Sequence, residues 1–579
     1  MISILKNFNK KEWMMTAVVF LLTILEVGAG LVTVEFVENI VGLLVNGAEI
    51  GEVLRYGGIM VGFSLLSVLI GVVISFVTVR IATGYARRLR SMLFERVSSF
   101  SMHEINKYST ASLITRSTND INQIQMAVNQ GIRMIFVAPI IAVTSIIMIV
   151  DKSRELTLTT AIGIVALCIS IVVIFMIVFP RFKHIQEATD SLNGVSREHL
   201  TGLRVIRAYN AEEYQQAAFE TVNNDLSLTH RFVTRMMGVL MPWCYFLMDA
   251  LGLAILWIGS YLIEGNMLEL PQMMSFELYA NMTLSAFMMM TMMALMIPRA
   301  AISAKRINEV LETEPSIRDK ASTISPSDDR RGEVVFDHVS FGYNGSEHYA
   351  VKDISFSLAK GETLAIIGAT GSGKSTIVNL IPRFYDVQEG SITIDGVDVR
   401  DMAERDLRSR IGLVAQHATL FSGTIESNIK YTDKDMSDER MREAAHIAAV
   451  DEFIDKEEDG YKTHVAQGGS NFSGGQKQRI SIARAIAKHP EIYIFDDSFS
   501  ALDYATDKKV RADLKSVTAD SSVIIVAQRL GTIMDADKIV VLDKGKMVGY
   551  GTHRELLVSC PVYKEIALSQ LSEEELENA

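Results

Sequence analysis

Six stretches of mostly apolar residues, at roughly 13–37, 56–80, 131–150, 157–179, 238–263 and 273–300, constrain this chain more than any other feature. About 20 such residues in helical form cross a bilayer's hydrocarbon core. Inside that core the backbone must satisfy its own hydrogen bonds, so the expected fold is a bundle of helices. The gaps between the stretches alternate in length and charge. The long gap after the second holds Arg87, Arg88, Arg90, Arg96, Arg116 and Arg133, and the one after the fourth holds Arg181, Lys183, Arg197, Arg204, Arg207, Arg231 and Arg235. Basic loops stay in the cytoplasm, which puts the N-terminus and both long gaps inside. Lys6, Lys10 and Lys11 precede the first stretch. Trp13–Val34 is too long for a signal peptide's apolar region and lacks a small-residue cleavage site, so it is expected to be a retained first span.

The two long cytoplasmic gaps contain almost no Gly or Pro and carry an apolar stripe at helical spacing, as in Ala86–Phe94. They are expected to be spans prolonged as helices into the cytosol, with a turn at the bottom. The expected boundaries are a membrane domain over 1–311, a polar linker over 312–331 with Pro315 and Pro326, a second domain over 332–571 and an acidic tail over 572–579. In the second domain, strand-like runs (Glu333–Phe336, Thr363–Ile367, Ile411–Val414, Ile492–Phe495, Val523–Val526, Lys538–Leu542) alternate with helical ones. That is the pattern of a mainly parallel α/β domain. A net charge of −12 excludes a nucleic-acid binder of the basic-stripe kind. Cys168, Cys244 and Cys560 lie far apart, without metal-ligand spacing, and read as apolar fillers.

Gly368-Ala369-Thr370-Gly371-Ser372-Gly373-Lys374-Ser375 fits G-x-x-x-x-G-K-[ST], directly after a strand-like run and before the helical run that opens at Thr376. In such a loop, backbone N–H groups wrap a phosphate chain, a helix N-terminus adds positive potential, Lys374 neutralises the β- and γ-phosphates, and Ser375 ligates Mg²⁺. Ile492–Asp496 is a strand ending in an acid, placing Asp496 to hold the same ion. These residues imply ATP and Mg²⁺.

Phe472-Ser473-Gly474-Gly475-Gln476, lying between the phosphate loop and Asp496 and followed by a helical run over Lys477–His489, resembles the signature of ATP-binding cassette proteins. Lys477-Gln478-Arg479 and Ala483-Arg484-Ala485 fit as well. Nearly the whole chain resembles a bacterial half-size ABC exporter of the multidrug type. The resemblance implies an all-α six-helix transmembrane domain (the type IV exporter fold) followed by an α/β P-loop cassette, in the cell membrane with the cassette cytoplasmic. It further implies that Tyr343 stacks on adenine, that Gln416 touches Mg²⁺ and senses the membrane domain, that Ser500-Ala501-Leu502-Asp503 is the loop crossing to a partner cassette, and that the signature serves the partner's ATP. By the same resemblance, turns near Ser109–Asp120 and Thr201–Glu213 would be coupling helices.

Asp497 follows Asp496 where the family usually has Glu, and Gln528 stands where the family has a switch His. Asp is one methylene shorter than Glu, and misplacing a catalytic group by about 1 Å can cost about 10²-fold. Gln can donate a hydrogen bond but carries neither positive charge nor a transferable proton. Phe472 replaces the usual Leu, and Ala466-Gln467 the usual Gly-Glu. The expectation is a heterodimer in which this chain supplies a weakly hydrolysing site and a second half-transporter keeps Glu and His.

Glu26, Asp249 and Glu277, with Glu35 and Glu38 nearer the outside, are acids within or at the ends of spans, where charge faces protein or water. For Glu26 and Asp249, substrate binding and hydrogen bonding to a neighbouring helix both stay open. The sixth span is methionine-rich, with Met289, Met293 and Met296 on one face, suited to a promiscuous apolar surface. No Cys or His is close in sequence, which argues against a soft-metal site. The expected activity is ATP-driven export of hydrophobic or cationic small molecules by alternating access. The alternatives are a dedicated exporter of a peptide, lipid or porphyrin, or an ATP-gated channel or regulator.

Overall fold

The computed structural model describes residues 5–326, 331–343, 345, 346, 348–571 and 576. The acidic tail expected over 572–579 lies outside them except for Leu576, as do residues 327–330 of the linker. The chain divides into two compact units: residues up to Ser98 with Thr110–Thr313, and Ser99–Ser109 with Glu314 onward.

The first unit holds six long apolar helices: α1 (Lys10–Val45), α2 (Ile50–Ser98), α4 (Thr110–Lys152), α5 (Arg154–Thr201), α7 (Glu212–Glu264) and α8 (Leu270–Glu312). Their most apolar windows have mean hydropathies between 1.5 and 3.2. The 49 residues of α2 and 53 of α7 make rods of roughly 75–80 Å, against about 30 Å of hydrocarbon. These spans therefore continue well past the bilayer as helix, as their periodicity predicts. At the start of α1, Asn9 and Glu12 form a reciprocal capping box, and Glu12 also pairs with Arg88 of α2 at 2.7 Å.

Two short helices interrupt the long ones. α6 (Leu203–Ala208) lies within the expected second turn. The first differs from expectation. Thr110–Asp120 is helical, with a π-turn at Arg116–Asp120, and the separate short helix is α3 (Met102–Tyr108), ahead of the predicted stretch. The local chemistry explains the shift. Ser101 and Glu104 form a capping box that opens α3, and Ser109, at φ 57°, closes it. α3 belongs to the second unit.

That unit is built on two sheets. The larger, in the order β12-β11-β3-β10-β9-β6, comprises β3 (Thr363–Gly368), β6 (Ile411–Val414), β9 (Ile492–Asp496), β10 (Ser522–Val526), β11 (Lys538–Asp543) and β12 (Lys546–Gly551). All its pairings are parallel except β11 with β12. Central strands covered on both faces must be apolar throughout; β9 and β10 are buried at every residue. The smaller sheet, β2-β1-β4-β5, pairs β1 (Val334–Phe341) antiparallel with β2 (Val351–Leu358) and β4 (Glu389–Ile394), and β4 with β5 (Val397–Asp398). Gly423–Thr424 and His464–Val465 form a short β7–β8 ribbon. Helices α9 (Lys374–Leu380), α10 (Gly474–Lys488) and α11 (Tyr504–Val517) follow the loops that carry the chemistry.

Candidate functional site

Parallel register sets the site. β10 lies between β3 and β9, with Val526 opposite both Ile366 and Asp496. The loops leaving the C-terminal ends of these strands must therefore emerge together, the usual ligand position in open α/β sheets. The loop after β3 is the glycine-rich one. Gly373 sits at φ +102°, and a Cβ there would come within 2.6 Å of Val351 Cγ1, so only glycine fits without strain. Lys374 is nearly buried, and its ammonium donates to the carbonyls of Gly368 and Ala369, both at 2.8 Å. Burial pulls its pKa below the ordinary lysine value, against the opposing pull of Asp497 and Asp496.

Ser375 Oγ lies 3.4 Å from Asp496 Oδ1 at the end of β9. Burial raises the Asp496 carboxyl above its usual range. Asp497, at φ +49°, turns its carboxylate toward two amides: Gln528 Nε2 donates to Asp497 Oδ2 at 3.0 Å, and Gln416 Nε2 at 3.5 Å. A cavity of about 310 Å³ is lined by Tyr343, Ala350, Thr370, Gly371, Gly373, Lys374, Ser375, Thr376, Gln416, Asp496, Asp497, Val526 and Gln528. The fold thus gathers the glycine loop, the two aspartates, both glutamines and the tyrosine into one pocket. The pocket fits a magnesium-bound nucleoside triphosphate on its own terms. It has a cationic end at Lys374, an open glycine face at Gly371 and an oxygen-donor pair at Ser375 and Asp496, while the Ser372 hydroxyl in the same loop is buried without a partner among the described residues.

The signature and the loop over Ser500–Asp503 do not line this cavity. They meet each other, since a Cβ on Gly475 would lie 3.0 Å from the Ala501 carbonyl. Ser473 caps α10, its Oγ accepting from Gln476 N while Gln476 Oε1 accepts from Ser473 N. Phe472 is buried, and Ser473 and Gly474 are exposed. Asp503 caps α11 through Thr506 N at 3.0 Å, and the Thr506 amide and hydroxyl hold its carboxyl below the ordinary value.

Several supports escaped the sequence reading. Ser500 Oγ donates to the Asp497 carbonyl. Gln570, near the C-terminus, donates to the Gln528 carbonyl and accepts from Leu530 N, which fixes the loop after β10. The Tyr343 hydroxyl lies 3.2 Å from Thr376 Oγ1. No local motif announces any of these contacts.

Family models agree with this architecture. The one described as "ABC transporter transmembrane region" matches residues 15–288, and the one described as "ABC transporter" matches 351–500. An uncharacterized ABC transporter ATP-binding protein of Mycobacterium tuberculosis (strain ATCC 25618 / H37Rv) is 38% identical over 90% of both chains. The chain belongs to the ABC transporter family. An uncharacterized ABC transporter ATP-binding protein of Bacillus subtilis (strain 168) is 33% identical over 98% of each chain. The solved structure of a bacterial Atm1-family ABC exporter with ATP bound superposes with a TM-score of 0.82 at 25% identity, covering 98% of this chain and all of that one. This ABC exporter is a multi-pass membrane protein with a cytoplasmic cassette domain that binds ATP, and ATP hydrolysis drives its transport.

In the membrane unit, the candidate pathway residues are distributed differently from one another. Glu26 of α1 pairs with Arg133 of α4 at 3.3 Å. Glu38 pairs with Lys152 and accepts from Ser275 Oγ. Asp249 is exposed on the chain, and Glu277 is half-buried beside Gly252. Met289, Met293 and Met296 are half-buried, but other methionines line the cavities. One of about 130 Å³ is bounded by Ile171, Met237, Leu240, Met241, Cys244, Met288, Thr291 and Met292, and one of about 430 Å³ includes Cys168, Met176 and Met290. This corrects the expectation that no cysteine lies near the sixth-span methionines. α5 and α7 are distant in sequence but bring Cys168 and Cys244 against α8.

Proposed function

We propose that this chain is one subunit of a heterodimeric ABC exporter that moves hydrophobic or cationic small molecules outward by alternating access, and that its own phosphate-loop site retains ATP more than it hydrolyses it. The carrying observation is the engagement of Asp497 by Gln528 at 3.0 Å. A carboxylate that polarises water must reach it with a free oxygen, and this one is a methylene shorter than Glu, with Oδ2 already accepting from two side-chain amides. The family's switch His can gain and lose a proton, whereas the amide of Gln528 cannot.

Within this reading, Lys374 and the loop over Gly368–Thr376 hold the phosphates and Tyr343 stacks on the base. Ser375, Asp496 and Gln416 would hold Mg²⁺, which when bound neutralises charge on the β- and γ-oxygens. Phe472–Gln476 and Ser500–Asp503 lie outside this chain's own pocket and would complete the partner's, where hydrolysis occurs. The membrane cavities favour apolar, polarisable substrates: their linings are methionine, cysteine and aliphatic side chains, which adapt to varied shapes. A Bacillus subtilis relative, 32% identical over 83% of this chain and provisionally assigned to multidrug export, supports the same class.

The test is to purify the chain with and without a companion half-transporter that keeps Glu and His. The pair should hydrolyse ATP, lose about 10²-fold or more when the companion's Glu is changed to Gln, and lose far less when Asp497 is changed to Asn. Rapid hydrolysis by this chain alone would overturn the reading.

A further inference from the structure

Tyr343 is a wall shared by two cavities. On one side is the phosphate pocket; on the other is a cavity of about 610 Å³ whose lining includes Asn106 and Lys107 of α3, Ile317 of the linker, and Tyr385 and Gln388. Two further aromatic rings, lining the larger cavity, pack against this wall. Tyr343 meets Tyr385 edge-on, with centroids 5.3 Å apart and planes at 89°, and meets Phe341 at 5.1 Å and 84°. Phe341 and Tyr385 are 5.3 Å apart. Edge-to-face contacts depend on orientation, so turning one ring disturbs the others. At the far end of the Tyr385 ring, its hydroxyl accepts a hydrogen bond from Asn106 Nδ2 at 3.1 Å. Asn106 is on α3, and the chain joins α3 to α2 at one end and to α4 at the other. A second tie fixes α3 to the segment after α8: Glu104 Oε1 accepts from Ser316 N at 3.2 Å, and the Ser101 and Ser316 hydroxyls lie 2.8 Å apart.

We infer that Tyr385 and Asn106 form a relay that reports to α3 whether a nucleobase is stacked on Tyr343. The inference rests on the proposed reading of Tyr343 as the base-stacking wall, and makes Tyr385 and Asn106 positioning residues for ATP-driven transport. The phosphate loop reads only the triphosphate. The base is read by Tyr343, whose ring is tethered to the loop's helix through Thr376 Oγ1 at 3.2 Å. A base that fixes the Tyr343 plane fixes the Tyr385 ring set edge-on to it, and with it the direction of the bond to Asn106. A site that retains ATP cannot signal by turnover. It signals by being filled, and this path carries that signal toward α2 and α4 without passing through the hydrolytic residues.

The test uses the full-length chain in lipid nanodiscs and reads amide hydrogen exchange at Met102–Tyr108 and Gly371–Thr376. The additions are saturating MgATP or magnesium with inorganic tripolyphosphate, which has no base. Both should protect the phosphate loop, and only MgATP should slow exchange in α3, by about fivefold. Y385F keeps the ring and removes the hydroxyl; it should retain loop protection while the α3 response falls below about twofold. N106A should do the same, and the double variant should add nothing further, as expected of one shared contact. Equal protection of α3 by both additions, or a full response in Y385F, would overturn the relay alone. Failure of MgATP to protect the phosphate loop would overturn the nucleotide-site reading and the relay with it.

Discussion

Asp497 and Gln528 are 31 residues apart, and neither is informative alone. Their contact exists because β9 and β10 are parallel neighbours whose ends release both residues at the same edge. Glu at position 497 would reach further into the pocket, and His at 528 would restore a titratable partner. D497E together with Q528H should therefore raise ATP turnover of the assembled pump by about tenfold or more; unchanged turnover would mean that other residues limit hydrolysis. The glycine loop was legible in the sequence because its chemistry is contiguous, and the structure adds why position 373 must be glycine. Gly373→Ala places a Cβ against Val351 at a positive φ, so it should cost about 1–3 kcal/mol of cassette stability and weaken nucleotide binding, both measurable by thermal unfolding with and without MgATP. The support from Gln570 was illegible, since a glutamine bonding a carbonyl 42 residues away leaves no pattern, and that from Ser500 is a three-residue turn contact that any serine can make.

At the scale of elements, length and hydropathy sufficed for the six long helices, because few alternatives can bury so much apolar surface. The parallel strands were equally legible from their unbroken apolar runs. What the periodicity missed was the break at Ser99–Ser109. There the Ser101–Glu104 capping box starts a new helix inside a stretch whose apolar spacing alone reads as continuous. Glu104 makes that break a device. Burial pushes its carboxyl up, but hydrogen bonds from Ser101 and Ser316 more than offset this and leave it below the ordinary value. A carboxyl so depressed contributes stability in full above the unfolded value of about 4.3 and loses it as pH falls through the folded value. Measured against its intrinsic, pH-dependent exchange rate, the Ser316 amide should thus be well protected at neutral pH and lose that protection in acid. E104Q should already exchange faster at neutral pH and respond little to acid, and E104A should also weaken the cap of α3 by about 1 kcal/mol. A wild-type Ser316 amide indifferent to acid would remove Glu104 from this role.

For the whole molecule, the division between an apolar helical unit and an α/β unit follows from composition, and the cassette's chemistry follows from its motifs. The transport pathway does not, because a charge in a span reads the same whether it awaits a substrate or a neighbour. Glu26 shows the difference. In sequence it is a candidate receptor for cations; in the fold Arg133 stands 3.3 Å away, with Ser75 Oγ on the other side of the guanidinium at 3.4 Å. A cation reaching Glu26 must compete with a charge already in place. Arg133→Ala leaves Glu26 without its partner, so that its charge is available to a cation. Reconstituted as the proposed heterodimer, the variant should gain about tenfold in apparent affinity for a lipophilic cation, equivalent to roughly 1.4 kcal/mol, with little change for a neutral analogue of the same shape. Equal shifts for both compounds would place Glu26 outside the pathway and make its ion pair with Arg133 a structural bond between α1 and α4.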